Sequence, residues 1–209
     1  MRTNAFSLIT ILTVCIGCGQ TACFAGTPET LEQRVRRQDI SSFRQAAAEG
    51  RRDLIPVLEE YAELAVNPLE PVRTEAKLAL AKLGNKKYLA EIIAELTTTN
   101  SPAFQAELDL ERRGGLQPTR AVYVAMREIR SRAFKKLAYI NDPSTTKTIA
   151  SFLYDTEDPN LDPGKGDAVY ETPAQLAVRT LRNIVKNAPQ SDDIATWQQW
   201  WEQNKDKYP

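Results

Sequence analysis

Three times in this chain a side chain that can accept a hydrogen bond stands directly before a proline: Ser101-Pro102, Asp142-Pro143 and Thr172-Pro173. Each pair fits a helix N-cap followed by proline at the first helical position, where the missing N–H and the fixed φ do no harm. Helix starts are therefore predicted near residues 101, 142 and 172. Between Leu31 and Tyr208 no convincing stretch alternates apolar and polar residues as a half-buried strand would, whereas apolar residues recur at helical spacing throughout. The predicted fold class is all α.

The helix faces can be drawn residue by residue. Val72, Ala76, Ala79, Leu80 and Leu83 share one face, ended by Gly84-Asn85, a stop suited to a left-handed cap. Leu89, Ile92, Ile93 and Leu96 make the next. Upstream, Ile40, Phe43, Ala46 and Ala47 lead into Leu54, Leu58, Tyr61 and Leu64. Downstream, Val122, Met126, Ile129, Ala133, Leu137 and Ile140 define a long helix, followed by a shorter one with Ile149, Phe152 and Leu153. Ala174, Ala177, Val178, Leu181 and Ile184 precede a terminal helix that begins near Ser191-Asp192-Asp193. Antiparallel pairing gives about four irregular hairpins, roughly 31–66, 67–99, 119–154 and 172–208, with an insertion at 100–118 and an acidic loop at 155–171.

Glu70-Pro71-Val72-Arg73, Glu75-Ala76 and Ala79-Leu80-Ala81-Lys82-Leu83-Gly84 resemble the first helix and turn of a HEAT repeat, and Asn141-Asp142-Pro143 resembles that family's inter-helix turn. The segment from Thr97 to Pro118 departs from the pattern. The resemblance implies a right-handed α-solenoid closed by a C-terminal capping helix and used as an interaction surface. It implies no particular partner.

The first 25 residues read as an address. Arg2 precedes an apolar stretch from Ala5 to Ile16, and small residues, including Cys23-Phe24-Ala25, lead to Gly26-Thr27-Pro28. This is the layout of a bacterial secretory signal, with a single domain over 26–209 and a periplasmic or secreted destination. The alternative is a lipoprotein signal, in which Ile16-Gly17 precedes a lipidated Cys18 and the chain is held at a membrane.

Residue inventory removes most catalytic chemistry. The chain has no histidine, hence neither the usual general base near neutral pH nor the commonest zinc ligand. All three cysteines, Cys15, Cys18 and Cys23, precede Gly26, so cleavage after Ala25 leaves no thiol. The composition calls for no cofactor. Paired carboxylates would still permit a glycoside hydrolase, but Glu91 and Glu95 look like ordinary acids on a polar helix face beside Lys86 and Lys87. Basic and acidic residues number 27 each, and loss of Arg2 leaves 26 against 27, which argues against nucleic acid as a partner.

Three features are candidates for function. Residues 155–167 concentrate acids, prolines and glycines, with Asp155, Glu157, Asp158 and Asp167 as candidate partner-binding residues. Asp158, Asn160 and Asp162 have the alternate spacing with which calcium loops begin. Pro163 and Val169 break the EF-hand pattern, leaving a looser calcium site or a solvated loop. Arg127, Arg130, Arg132, Lys135 and Lys136, with Arg112, Arg113 and Arg120 upstream, form a basic cluster opposite the apolar stripe, with Arg127 and Arg130 the candidates for contact. Trp197, Trp200 and Trp201 suit either an aromatic platform or a terminal cap. The spacing of Trp197, Trp201 and Ile194 favours the cap, with Trp200 the more exposed. The expected function is a non-enzymatic extracytoplasmic module that binds a protein or peptide in a groove along the second helices of the hairpins. A lipid-anchored scaffold of the cell envelope and a carboxylate-dependent glycoside hydrolase are the alternatives.

Overall fold

A computed structural model describes residues 29–63, 70–156 and 170–208. Among these there are ten α-helices and no strand: α1 (Leu31–Arg36), α2 (Ile40–Ala48), α3 (Ile55–Glu63), α4 (Glu70–Lys82), α5 (Lys86–Ala94), α6 (Pro102–Arg113), α7 (Pro118–Ile140), α8 (Thr146–Ser151), α9 (Pro173–Ile184) and α10 (Ile194–Asn204). Short 3₁₀ turns at Arg52–Leu54, Pro143–Thr145, Phe152–Tyr154 and Lys205–Lys207 join or end them.

The helix starts follow from local chemistry. Ser101 Oγ accepts from Phe104 N–H, and Asp142 accepts from Ser144 N–H. At Thr172 the side chain accepts from Gln175 N–H while Gln175 accepts from Thr172 N–H, a reciprocal capping box that Thr30 and Gln33 repeat at α1. Asp193 caps α10 through Thr196 N–H. Asn141 ends α7 in the left-handed region, φ 57°, and the turn after α4 contains Gly84 at φ 100°. Both conformations suit short or absent side chains.

α4 packs on α2, α3, α5 and α7, while α7 packs on α4, α5, α6 and α9. α9 in turn meets α7, α8, the Phe152–Tyr154 turn and α10. α4 is buried around most of its circumference, through Val72, Ala76, Leu78, Ala79, Leu80 and Ala81, because its alanines let neighbours approach closely. Lys82 reaches from its end to donate to the carbonyls of Tyr139 and Ile140, at 2.8 and 2.9 Å, with its ammonium 5.4 Å from the Tyr139 ring centroid.

Residues 100–118, expected as an insertion, hold α6 and the turn into α7. That pair has its own small core of Phe104, Leu108, Ala121 and Ala125, with Leu116 and Met126 packed beside it. The main core takes the other half of α7, through Ala133, Phe134, Leu137 and Ile140, and extends from Val35 to Trp201. At 23 residues α7 is about 34 Å long, long enough to serve both. The stripe drawn through Val122 is corrected: Val122 is 40% exposed, and Ala121 and Ala125 face α6 instead. Ile40 is likewise exposed, while Phe43, Ala46 and Ala47 of the same helix are buried. Among the described residues no helix is long and apolar enough to cross a membrane.

Candidate functional site

The sequence places the basic cluster of α7 opposite its apolar stripe, in water. The structure corrects this in part: α7 runs between neighbours, and part of its polar face meets acids of adjoining helices and its own Glu128, while Lys135 stays exposed. Lys136 pairs with Glu95 at 2.7 Å, Arg132 pairs with Glu107, and Arg127 donates to Glu128 at 3.0 Å. Arg130 donates through Nε to the Leu96 carbonyl at 2.9 Å and lies 3.4 Å from Asp155. Of the two acids expected on a solvated face, Glu91 pairs with Lys77 and Glu95 with Lys136, while Lys86 beside them reaches Asp142. The Glu95–Lys136 pair is largely shielded from solvent on both sides.

Arg127 and Arg130 border a small groove that opens to solvent between α7 and the start of α9. Tyr123 and Met126 line it from α7, Pro173 and Leu176 from α9, and Glu171 from the segment that leads into α9. Arg127 and Arg130 are three residues apart on α7, about one helical turn, so their guanidinium groups lie on the same side of the helix and edge an apolar floor. Proline serves at the first position of α9 because no N–H is needed there, and Thr172 anchors that terminus just before the wall begins. Glu171 is held by Arg179.

Both flanks of the acidic segment fasten beside this groove. Asp155 accepts at its carbonyl from Ala174 N–H of α9 at 3.0 Å, while its carboxylate faces Arg130. Tyr170 lies under Arg127, with 3.4 Å between the guanidinium carbon and the ring centroid, a cation–π stack. Asp155, Arg127 and Arg130 are thus brought together. Glu157, Asp158, Asn160, Asp162 and Asp167 lie outside the described residues, as do the signal segment with Cys18 and also Leu64.

The tryptophans lie at the far end. Trp197 is fully buried, its indole N–H donating to the Ser191 carbonyl at 2.8 Å, and Trp201 is buried next to it. Trp200 is half-buried and meets Trp197 edge-on and Tyr208 at 5.9 Å. Trp197 and Trp201 therefore present no indole face to a sugar.

Chemically the groove offers apolar contact from Met126 and Leu176, two planar guanidinium groups and an acid. Sequence reading missed Tyr123, Tyr170, Glu171 and Pro173 as lining or flanking residues. Thr172-Pro173 marked a helix start, but nothing in the local pattern says that α7 lies across from it. Among the described residues no three His, Cys, Asp or Glu side chains gather where they would hold a metal ion. The largest displacement of an acid lies elsewhere: burial, reinforced by donation to Glu63, pushes the Tyr88 phenol up to about 12. At Asp142 burial acts upward, but the hydrogen bonds from Lys86 and Ser144 outweigh it and lower the carboxyl below its ordinary 3.8. Both groups hold helices together. No family model matches the chain, and no curated protein or solved structure matches it.

Proposed function

We propose that this chain is a non-enzymatic protein-interaction module acting outside the cytoplasm, a right-handed solenoid of irregular HEAT-like hairpins that binds a protein or peptide. The observation that carries this reading is the groove between α7 and α9: an apolar floor edged by Arg127 and Arg130, with both flanks of the acidic segment fastened at its rim. A concave, mostly apolar site with a few fixed polar groups suits a side chain presented by a polypeptide. The succession of contacts α2 to α4, α4 to α7 and α7 to α9 is what a stacked array of hairpins would produce, and it supports the solenoid. The groove lies between first helices of successive pairs, a different surface from the second-helix groove expected from sequence.

The test is crosslinking and affinity capture in the native host, comparing the wild type with Met126→Glu, whose helicity is checked by circular dichroism. The reading expects a protein partner that the variant fails to recover. Equal recovery by the variant would remove the groove from the function, and retention of sugars in place of protein would replace peptide binding by glycan recognition.

A second reading, a lipid-anchored envelope scaffold, is favoured by Ile16-Gly17-Cys18. An acyl mass increment on Cys18, with no release by osmotic shock, would establish it over a soluble periplasmic protein. The carboxylate-dependent glycoside hydrolase has no observation in its favour at the groove, where Glu171 and Asp155 are each engaged with an arginine.

A further inference from the structure

α6 is attached to the rest of the molecule in an unusual way. Its close packing is on α7, and it brings two buried apolar side chains, Phe104 and Leu108, to that contact. The surface it sits on is made by Ala121 and Ala125, with Leu116 and Met126 beside them, and the four buried residues Phe104, Leu108, Ala121 and Ala125 form a cluster separate from the main core. The opposite side of α6 leaves Leu110 more than half exposed. At its end Gly114 and Gly115 follow in sequence, Gly115 at φ 85°, and glycines favour an unfolded turn by their conformational freedom. The Glu107–Arg132 ion pair ties the helix farther along α7.

Met126 connects this seat to the groove. It packs against the Phe104–Leu108–Ala121–Ala125 cluster and also lines the space between α7 and α9. Elements with few buried apolar contacts open locally with smaller free energies than the global transition.

We propose that α6 is a latch: it opens from α7 as a separate unit while the main core stays folded, and Met126 couples its seat to the groove. Opening α6 frees the Met126 side chain from one of its two supports, so the groove wall loosens with it. Conversely, whatever fixes Met126 from the groove side holds α6 closed. The assignment of the groove as a binding site is the reading made above; the opening of α6 does not depend on it.

Hydrogen–deuterium exchange read by mass spectrometry on the full chain, with no ligand added, tests both statements. Amides of 105–113 are expected to exchange at least about tenfold faster than those of 74–82 and 177–184. Leu108→Ala should widen that gap by about tenfold or more without altering α4 or α9, whereas Leu181→Ala should speed α4 and α9 and leave α6, which exchanges through its own opening, close to the wild type. Exchange of α6 in one step with α4 and α9 would overturn the latch. For the coupling, Met126→Ala should speed α6 exchange by about tenfold, and Arg127→Ala, whose stacking partner is Tyr170, should leave α6 as in the wild type. No effect of Met126→Ala, or an equal effect of both substitutions, would remove the coupling and leave α6 as an independent element. If no partner is recovered by capture, the groove reading fails while the exchange results stand unchanged.

Discussion

The main core and the seat of α6 are built on the same helix, α7, yet they use it differently. Toward its C-terminal end α7 contributes Phe134, Leu137 and Ile140 to a core that also holds the large, fully buried Trp197, Tyr88, Phe43 and Leu181. Toward its N-terminal end it contributes Ala121 and Ala125 to a smaller cluster that also holds Phe104 and Leu108, with Leu116 and Met126 packed beside it. A continuous helix therefore joins a large and a small apolar cluster, and helical stability in a protein comes mainly from the area its neighbours bury.

The comparison is broken most severely from the main-core side. Trp197→Ala should cost about 3–5 kcal/mol of global stability in urea unfolding, since it removes a fully buried indole together with the bond to Ser191. It should unfold α6 along with everything else, because α7 loses its support; a variant with an unchanged midpoint would show that the two cores are not ordered as described. The next effect is a pH dependence. In the unfolded chain Tyr88 ionises at its ordinary 10.0 and in the fold at about 12, so the folded state keeps the proton longer. Stability therefore falls as pH rises through this window, and Tyr88→Phe should flatten that part of the profile, an effect on the order of 2 kcal/mol or less.

Smaller effects should be local. Asn141→Ala places a Cβ-bearing residue without a polar side chain in the left-handed region and should cost about 1–2 kcal/mol, while Asn141→Gly should stay close to the wild type. Ser101→Ala removes the cap of α6 and should cost about 1 kcal/mol. That loss should be seen in the exchange of α6 and scarcely in the urea midpoint; a full shift of the midpoint would make α6 part of the main cooperative unit.

What was legible in the sequence is what is decided within a few residues. Ser101, Thr172 and Asp193 cap the α-helices they precede, and Asp142 caps the 3₁₀ turn that leads into α8, because a cap needs only its own first turn. The stop at Gly84 is equally local. Val122 and Ile40 were misplaced because periodicity reveals a stripe but not which neighbour lies beside it. The seat of α6 escaped notice because alanines carry little hydrophobic signal, though their smallness is what admits the helix. The candidate site shows the same limit: Arg127 and Arg130 stood out by charge, but their partners Tyr170 and Asp155 lie across the fold, 43 and 25 positions along the chain.

Lys82 has a consequence for how neighbouring helices are aligned. Its ammonium must meet two consecutive carbonyls at the end of α7, so α4 cannot slide along α7 by one turn, about 5.4 Å, without losing both. Apolar ridges tolerate several settings, whereas this contact has one, and it acts as an index mark between two stacked rods. Lys82→Met would preserve the apolar stem and erase the mark, leaving the axial setting of the two halves of the molecule to shape alone.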